Sequence, residues 1–247
     1  MKCIVLAAGY ATRLYPLTEN FPKPLLCVKD RPILDWLLYD IDGTGAVDEY
    51  IIISNHRYYD NFIEWKKSLT LSAPVTVIDD GTTENANRLG AVKDIAFAIE
   101  KLSLSDDLMV IAGDNVLDFS LGTLIDYFKE KDASVVMRYY EGDTERLKKS
   151  GIVVCGDDDR IIRMIEKSAD PESNWCVPPF YIFKKADALS VGKAIAEGCG
   201  TDAPGSFVSY LASTSCLYAM KMDGKRYDIG NIESYEKVKK EYNGIKC

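Results

Sequence analysis

Residues 2–8 read KCIVLAA, a short and continuous apolar run. Runs of this kind are typical of strands that are buried on both faces of a parallel sheet. Three more runs follow along the first half of the chain, at residues 50–54, 75–78 and 108–112. Stretches with helical apolar spacing separate them, and this alternation continues to about residue 132. The pattern predicts an α/β fold with a Rossmann-like, doubly wound and mostly parallel sheet.

The second half of the chain predicts a different arrangement. After Gly142 the alternation breaks, and three predicted strands follow one another without helices between them, at residues 151–155, 160–166 and 179–183. We expect them to add antiparallel strands to the sheet. The remaining predicted elements are helices at residues 185–197, 206–211 and 233–242 and a strand at 216–222. Because no linker or repeat interrupts the chain, residues 1–247 are predicted to form one domain.

The composition limits the classes of partner. The net charge of −8 argues against binding to nucleic acid, because the phosphate backbone requires a basic surface. No apolar stretch approaches the ~20 residues that span a membrane, and the first apolar run is too short for a signal peptide. Seven cysteines without a CxxC pair predict reduced thiols and therefore a cytoplasmic protein.

The chain has one histidine, His56, which follows a predicted strand. Catalysis of the Ser-His-Asp or Cys-His kind would depend on this residue alone, and we expect a surface or capping role for it instead. Any chemistry must therefore be carried by carboxylates, lysines, arginines and a metal ion.

Two motifs near the N-terminus point to a phosphate ligand. Residues 6–14 read LAAGYATRL, and residues 21–26 read FPKPLL. Small residues after a strand let the backbone approach a phosphate, and successive N–H groups form an anion-binding nest. Arg13 and Lys23 would supply cationic donors to a triphosphate.

With these motifs the sequence resembles the sugar-nucleotide pyrophosphorylase family, the NTP:sugar-1-phosphate nucleotidyltransferases of the glucose-1-phosphate thymidylyltransferase type. That family opens with LAAGxGTRL and then PKPL. Ala11 stands where the family usually has its second glycine. The resemblance implies the nucleotide-diphospho-sugar transferase fold and nucleotide contacts from Ala8, Gly9 and Thr12.

The resemblance extends along nearly the whole chain. Residues 79–83 (DDGTT) and 88–91 (RLGA) resemble the nucleobase loop of the family and the start of the next helix. The resemblance implies that backbone groups near Gly81 and Gly90 read the edge of the base. Taken alone, this segment is more typical of a tight turn before a helix.

Two aspartates match the metal-binding positions of the family. Asp114 closes the predicted strand at 108–112, and Asp228 lies just before the last predicted helix. The resemblance implies that both hold Mg²⁺ between the α-phosphate and the attacking phosphate. Such a pair suits Mg²⁺, which takes few protein oxygens and completes its shell with phosphate and water.

The acceptor side resembles the family less closely. Glu166 and Lys167 match the start of its EKP element, which implies contacts with a sugar hydroxyl and with the sugar phosphate, and Ser168 replaces the proline. Tyr181 would line the sugar. However, residues 177–181 read VPPFY where the family has Gly-Ile-Tyr, and two prolines remove two N–H donors. We therefore hypothesise an acceptor other than glucose 1-phosphate, or one bound in an altered pose.

The resemblance thus implies a Mg²⁺-dependent transfer of a nucleotidyl group from dTTP, UTP or CTP to a sugar 1-phosphate, with release of pyrophosphate. Residues 1–132 would form the nucleotide-binding lobe and residues 133–247 the acceptor-binding lobe, and a homo-oligomer is possible. Arg13 would hold the pyrophosphate and Lys23 the triphosphate near the α-phosphorus.

The alternatives are other proteins of similar fold. The nearest is a CTP-dependent cytidylyltransferase that acts on a phospho-alcohol such as phosphocholine. A nicotinamide-dependent oxidoreductase is disfavoured, because Ala11 and Leu14 occupy the later glycine positions of GxGxxG. A catalytically silent sugar-nucleotide sensor is disfavoured because both aspartates and the three cationic residues are retained.

Overall fold

Strands and helices alternate along most of the chain in the computed structural model, which describes residues 1–246. The strands are β1 (Lys2–Leu6), β2 (Cys27–Val28), β3 (Arg31–Pro32), β4 (Glu49–Ser54), β5 (Val75–Asp79), β6 (Leu108–Ala112), β7 (Asn115–Leu117), β8 (Ser134–Tyr140), β9 (Gly151–Cys155), β10 (Ile161–Glu166), β11 (Trp175–Val177), β12 (Phe180–Phe183), β13 (Leu217–Lys221) and β14 (Arg226–Asp228). The α-helices are α1 (Ile33–Asp42), α2 (Tyr59–Lys66), α3 (Ala91–Leu102), α4 (Gly122–Lys131), α5 (Thr144–Leu147), α6 (Lys185–Leu189), α7 (Val191–Ala196), α8 (Gly205–Thr214) and α9 (Ile232–Glu241). Short 3₁₀ turns lie at Thr12–Leu14, Lys23–Leu25, His56–Tyr58 and Asn85–Asn87.

The chain divides into two compact units. Unit 1 contains Met1–Arg88, Ala112–Gly122 and the residues from Asp223 onward. Unit 2 contains Leu89–Ile111 and Thr123–Met222. The functional division at residue 132 remains a prediction.

Unit 1 is built on parallel strands. Strand β1 pairs in parallel with β4, and β4 pairs in parallel with β5. Their central residues are almost fully buried, as expected for apolar runs that are covered on both faces. Because the carboxyl ends of parallel strands lie at one edge of a sheet, the loops that follow β1 and β5 begin at the same edge.

A hydrophobic cluster joins the first loop of unit 1 to the last helix. It consists of Leu14, Leu26, Val28, Ile33, Val116, Ile229, Tyr235, Val238 and Tyr242, with Ala11, Trp36 and Tyr227 packed against it. The hydroxyl of Tyr242 donates to the carbonyl of Leu117 (2.9 Å) and that of Tyr235 to the carbonyl of Cys27 (2.7 Å). The cluster therefore fixes α9 against the strand pair β7–β14.

Unit 2 is organised around strand β8. Strand β12 runs antiparallel to both β8 and β6, whereas β13 runs parallel to β8. Strand β11 pairs antiparallel with the end of β8 and with β9, which in turn pairs antiparallel with β10. The antiparallel additions predicted for the second half of the chain are confirmed, and so is the predicted α/β class. The parallel pairing of β13 was not expected from the sequence.

The helix predicted at residues 185–197 is instead two helices, α6 and α7. The backbone N–H and the side-chain hydroxyl of Ser190 both donate to the carbonyl of Asp187, at 3.0 Å and 2.7 Å. Serine competes in this way for backbone partners and interrupts a helix. The sequence prediction of one continuous helix is wrong at this residue.

No helix among residues 1–246 is long and apolar enough to cross a membrane. The six cysteines of this range are free thiols. Cys247 lies outside the described residues.

The N-terminus of α3 is covered by another segment of unit 2. Ala91 and Val92 donate their N–H groups to the carbonyls of Asp202 (3.1 Å) and Thr201 (3.0 Å). Gly90 precedes them with φ 91° and ψ 151°, a conformation that is essentially restricted to glycine. A Cβ atom on Gly90 would lie 2.5 Å from the carbonyl oxygen of Thr201. The packing of this segment therefore requires glycine at position 90.

We expect Gly90→Ala to lower the free energy of unfolding by about 3 kcal/mol, because backbone strain and the steric clash add together. Gly81→Ala is the matched control: it also has positive φ (79°), but open space surrounds the position of its Cβ. It should cost only about 1 kcal/mol. Urea unfolding of both variants gives the comparison, and equal losses would contradict the steric part of the explanation.

Candidate active site

The loop after β1 contains several backbone amides that have no protein partner. Within residues 1–246, the N–H groups of Gly9 to Arg13 donate to no protein acceptor. Gly9, Thr12 and Arg13 are exposed, and Ala8 is buried behind them. Consecutive N–H groups without a protein acceptor are a feature of anion-binding nests, and phosphate binding by this loop stays a prediction.

The segment that follows β4 holds this loop through two hydrogen bonds. Asn55 donates its side-chain amide to the carbonyl of Ala8 (2.9 Å), and the hydroxyl of Tyr58 donates to the carbonyl of Thr18 (2.6 Å). Both side chains are fully buried. Since these bonds use only carbonyl groups of the loop, its N–H groups remain available to a ligand.

Ala11 adopts the left-handed conformation that the usual glycine of the family would accept without strain. Its φ and ψ are 45° and 42°. Its carbonyl accepts hydrogen bonds from Leu14 N–H (2.9 Å) and from the hydroxyl of Thr18 (2.8 Å), and these bonds hold the conformation. The left-handed conformation thus occurs with alanine at this position, at a cost in backbone strain of about 1 kcal/mol.

Lys23 and Asp114 form an ion pair, with Nζ donating to Oδ2 at 2.8 Å. Gly113 lies next to this pair, and a Cβ on it would lie 3.4 Å from Pro24 and 3.2 Å from Val5. The lysine side chain is only 10% exposed, whereas the aspartate is 38% exposed. Burial alone would raise the pKa of Asp114, but the charges of Lys23 and Arg226 outweigh it and the pKa is lowered. Asp114 is therefore a carboxylate at neutral pH.

The second predicted metal ligand lies beside the first. Strand β14 pairs antiparallel with β7 so that Asp228 faces Asn115, the neighbour of Asp114. Asn115 donates to Asp114 Oδ1 (2.6 Å) and accepts from Arg226 (2.7 Å), whose guanidinium also lies 3.4 Å from Asp228 Oδ1. A continuous polar chain thus connects the two aspartates.

The predicted nucleobase loop follows β5 and is closed by its own aspartates. Asp79 Oδ1 accepts the N–H of Gly81 (2.8 Å), and Asp80 Oδ1 accepts both the N–H and the hydroxyl of Thr82 (2.7 Å each). The hydroxyl of Tyr10 donates to Thr82 Oγ1 (3.2 Å), which ties this loop to the loop after β1. The two loops are therefore fixed to each other within unit 1.

His56 is on the surface, as predicted, and supports the nucleobase loop. Its Nδ1 lies 2.6 Å from Asp79 Oδ2, and its backbone N–H donates to the carbonyl of Thr82 (2.8 Å). The hydrogen bond and the charge of Asp79 raise the pKa of His56. Asn55, rather than His56, caps the following turn.

Unit 2 contains the predicted acceptor-binding residues. The Glu166 carboxylate projects towards two glycines, and a Cβ on Gly151 or Gly205 would lie 2.7 Å or 2.0 Å from Oε2. No hydrogen-bond donor to this carboxylate exists among the described residues. Burial raises its pKa, and the neighbouring Lys167 lowers it less. A partly buried acceptor without a protein donor is suited to a ligand hydroxyl.

Lys167 and Tyr181 differ in their exposure. Lys167 is exposed, with left-handed φ (54°), and its Nζ lies 3.8 Å from Asp202 Oδ2. Asp202 is also the residue whose carbonyl caps α3 next to Gly90. Tyr181 is enclosed in the core of unit 2 at 1% exposure, with its ring 5.6 Å from that of Phe183. Phe180 is fully buried as well, and a sugar contact by Tyr181 remains a prediction.

Sequence reasoning missed Asn115, Arg226 and Asp202. A signal existed for Arg226, because side chains two apart on a strand share a face and Arg226 precedes Asp228 by two. The contact of Asn115 depends on strand pairing between residues more than a hundred positions apart. The role of Asp202 depends on the packing of α3 and could not be read locally.

The residues around the two aspartates suit a magnesium ion that arrives with phosphates. Both carboxylates are partly exposed, and each retains lone pairs beyond those that Lys23, Asn115 and Arg226 use. In residues 1–246 no group of three or more His, Cys, Asp or Glu side chains could enclose a metal ion. Mg²⁺ accepts such an incomplete protein shell, because phosphate and water supply the remaining ligands.

The chain belongs to the nucleotidyl transferase family, whose model matches residues 2–244. A protein of Sulfolobus acidocaldarius named as a mannose-1-phosphate guanyltransferase is 29% identical over 252 residues, which cover 100% of this chain and 64% of that protein. The UTP–glucose-1-phosphate uridylyltransferase AglF of Haloferax volcanii is 27% identical, over 96% of this chain and 95% of its own length.

A solved structure shows the same fold. The crystal structure of a UDP-glucose pyrophosphorylase complexed with UDP-glucose superposes with a TM-score of 0.81 at 20% identity and covers 96% of each chain. The predicted resemblance to the sugar-nucleotide pyrophosphorylases is confirmed.

Ala11→Gly should raise the free energy of unfolding by about 0.3 kcal/mol, because glycine removes about 1 kcal/mol of left-handed strain but costs about 0.7 kcal/mol through the entropy of the unfolded chain. Ala8→Gly is the control, since Ala8 has no positive φ and gains nothing from the change. Urea unfolding measures both. A loss of stability in Ala11→Gly as large as that in Ala8→Gly would show that the left-handed conformation carries no strain.

Proposed function

We propose that this chain transfers a nucleotidyl group from a nucleoside triphosphate to a sugar 1-phosphate, with Mg²⁺ as cofactor, and releases pyrophosphate. The observation that carries the proposal is the pairing of an open anion nest at Gly9–Arg13 with two adjacent carboxylates, Asp114 and Asp228, in one unit. An anion nest alone fits any phosphate ligand. The two carboxylates add the oxygen ligands that a metal ion bound to a polyphosphate requires.

In this proposal unit 1 binds the triphosphate. The N–H groups of Gly9 to Thr12 and the guanidinium of Arg13 take the phosphates that leave as pyrophosphate, and Lys23 neutralises charge near the α-phosphorus. Backbone groups around Gly81 face the base, in a loop that Asp79 and Asp80 keep closed. Asp114 and Asp228 would hold Mg²⁺, which would supply charge neutralisation at the phosphates and bring the two anions together.

Unit 2 binds the acceptor in the same scheme. Glu166 accepts a hydrogen bond from a sugar hydroxyl, and Lys167 pairs with the phosphate. An oxygen of the acceptor phosphate attacks the α-phosphorus in line and the bond to pyrophosphate breaks. No general base is needed, since the attacking phosphate is already anionic. Catalysis then depends on alignment and charge neutralisation.

The names of the relatives favour a hexose 1-phosphate as acceptor. One is named for mannose 1-phosphate with guanylyl transfer and the other for glucose 1-phosphate with uridylyl transfer. Neither is named for a phospho-alcohol, which leaves the phosphocholine alternative without support. The base remains open among UTP, dTTP, CTP and, from the first relative, GTP. Cytoplasmic location and homo-oligomerisation remain predictions.

The test is pyrophosphate release with Mg²⁺, with each triphosphate assayed against glucose, mannose and other sugar 1-phosphates and against phosphocholine. We expect one base and one hexose 1-phosphate to exceed the other combinations at least tenfold in kcat/KM, the factor that about 1.4 kcal/mol supplies. Selectivity for glucose 1-phosphate would refute the hypothesis of an altered acceptor. Preference for phosphocholine, or no turnover with any pair, would refute the proposal.

Asp228→Asn should lower kcat about 100-fold, because the neutral amide holds a divalent ion less tightly than the carboxylate does. Asp228 is 58% exposed, so the fold should survive the change. Asp223→Asn, an identical change at an exposed aspartate of the same unit, is the control and should leave kcat unchanged. Near-normal turnover by a folded Asp228→Asn variant would remove this residue from the metal site.

A further inference from the structure

The cation that lies closest to Asp228 comes from its own strand. Arg226 is 18% exposed, and one Nη1 atom contacts both Asn115 Oδ1 (2.7 Å) and Asp228 Oδ1 (3.4 Å). The mechanism above assigns it no role. Through Asn115 the same guanidinium is connected to Asp114, the other predicted metal ligand.

The charges of this cluster already balance. Asp114 and Asp228 contribute two negative charges, and Lys23 and Arg226 contribute two positive ones. A divalent ion that enters this cluster alone would add two uncompensated positive charges at a short distance from a guanidinium. An ion that arrives on a triphosphate brings its own negative charges and meets no such barrier.

We propose that Arg226 is a positioning residue that holds Asp228 beside Asp114 and competes with a free divalent ion for its carboxylate, so that the metal enters together with the nucleotide. The inference rests on the proposed function, because it takes the two aspartates as the metal ligands. Arg226 acts through Asp228 and needs no contact with the reacting atoms.

The experiment measures binding of Mn²⁺ alone, without nucleotide, by electron paramagnetic resonance of the full chain. Arg226→Gln removes the internal cation, and we expect it to bind Mn²⁺ about fivefold more tightly than the wild type. This factor lies between the effects expected for a buried and for an exposed pair of charges. Arg226→Lys keeps the positive charge and should stay close to the wild type. Arg226→Met, which preserves the packing of the stem, replaces Arg226→Gln if that variant does not fold.

Lys225→Gln is the matched control. It removes the same charge from the residue that precedes the strand, whose Nζ pairs instead with Glu241 at 3.6 Å. It should leave the affinity for Mn²⁺ unchanged. A purely structural role of Arg226 would weaken or leave unchanged the binding of Mn²⁺, whereas the proposal requires it to strengthen.

The outcomes separate this inference from the proposed function. Affinity in Arg226→Gln that is no greater than in the wild type, including the case in which neither protein binds, overturns the role of Arg226. The role of Arg226 is also overturned if the double variant Arg226→Gln with Asp228→Asn binds Mn²⁺ as tightly as Arg226→Gln alone. Neither result affects the nucleotidyl transfer assay, which tests the proposed function independently.

Discussion

Two carboxylates that lie next to each other across one strand pair are the constraint around which unit 1 is organised. Asp114 precedes β7, and Asp228 faces Asn115 from β14, so Asn115 and Arg226 connect the two carboxylates. Neighbouring like charges are unfavourable unless cations compensate them. Lys23 pairs with Asp114, and Arg226 pairs with Asp228.

The position of Arg226 depends on the same strand pair. Asp118 fixes the register of β14, since its N–H donates to the carbonyl of Lys225 (3.1 Å) and its Oδ1 accepts the N–H of Lys225 (2.6 Å). The hydroxyl of Tyr242 holds β7 through the carbonyl of Leu117. The last helix thus supports the charge cluster, although it contributes no charged side chain to it.

Local sequence patterns predicted most of the elements because each depends on neighbouring residues. Strand β6 (Leu108–Ala112) was predicted with its observed bounds, and Asp114 follows it as expected. What the sequence could not predict depends on contacts between distant segments. The capping of α3 by the carbonyls of Thr201 and Asp202 joins residues more than a hundred positions apart. The roles of individual site residues remain predictions, since the geometry alone does not test them.

Backbone conformation explains one departure from the family pattern. The position of Ala11 requires left-handed φ, which is the reason a glycine suits it, and the carbonyl bonds to Leu14 N–H and Thr18 hold the alanine in that conformation. The departure at Pro178 and Pro179 has a different consequence. It leaves the buried Phe180 and Tyr181 in β12 with their ladder to β6 and β8 intact. The substitution is therefore compatible with the same strand.

The distribution of charge reconciles an acidic chain with an anionic ligand. The net charge of −8 belongs to the whole surface, whereas the exposed nest at Gly9–Arg13 is electropositive through its N–H groups and guanidinium. The single histidine is held by Asp79 and supports a loop. The site thus contains no imidazole base in the described structure of unit 1, and a reaction whose nucleophile is already an anion requires none. In the proposed reaction, fixed amides, cationic side chains and a Mg²⁺ held by the two carboxylates would supply the alignment and the charge neutralisation.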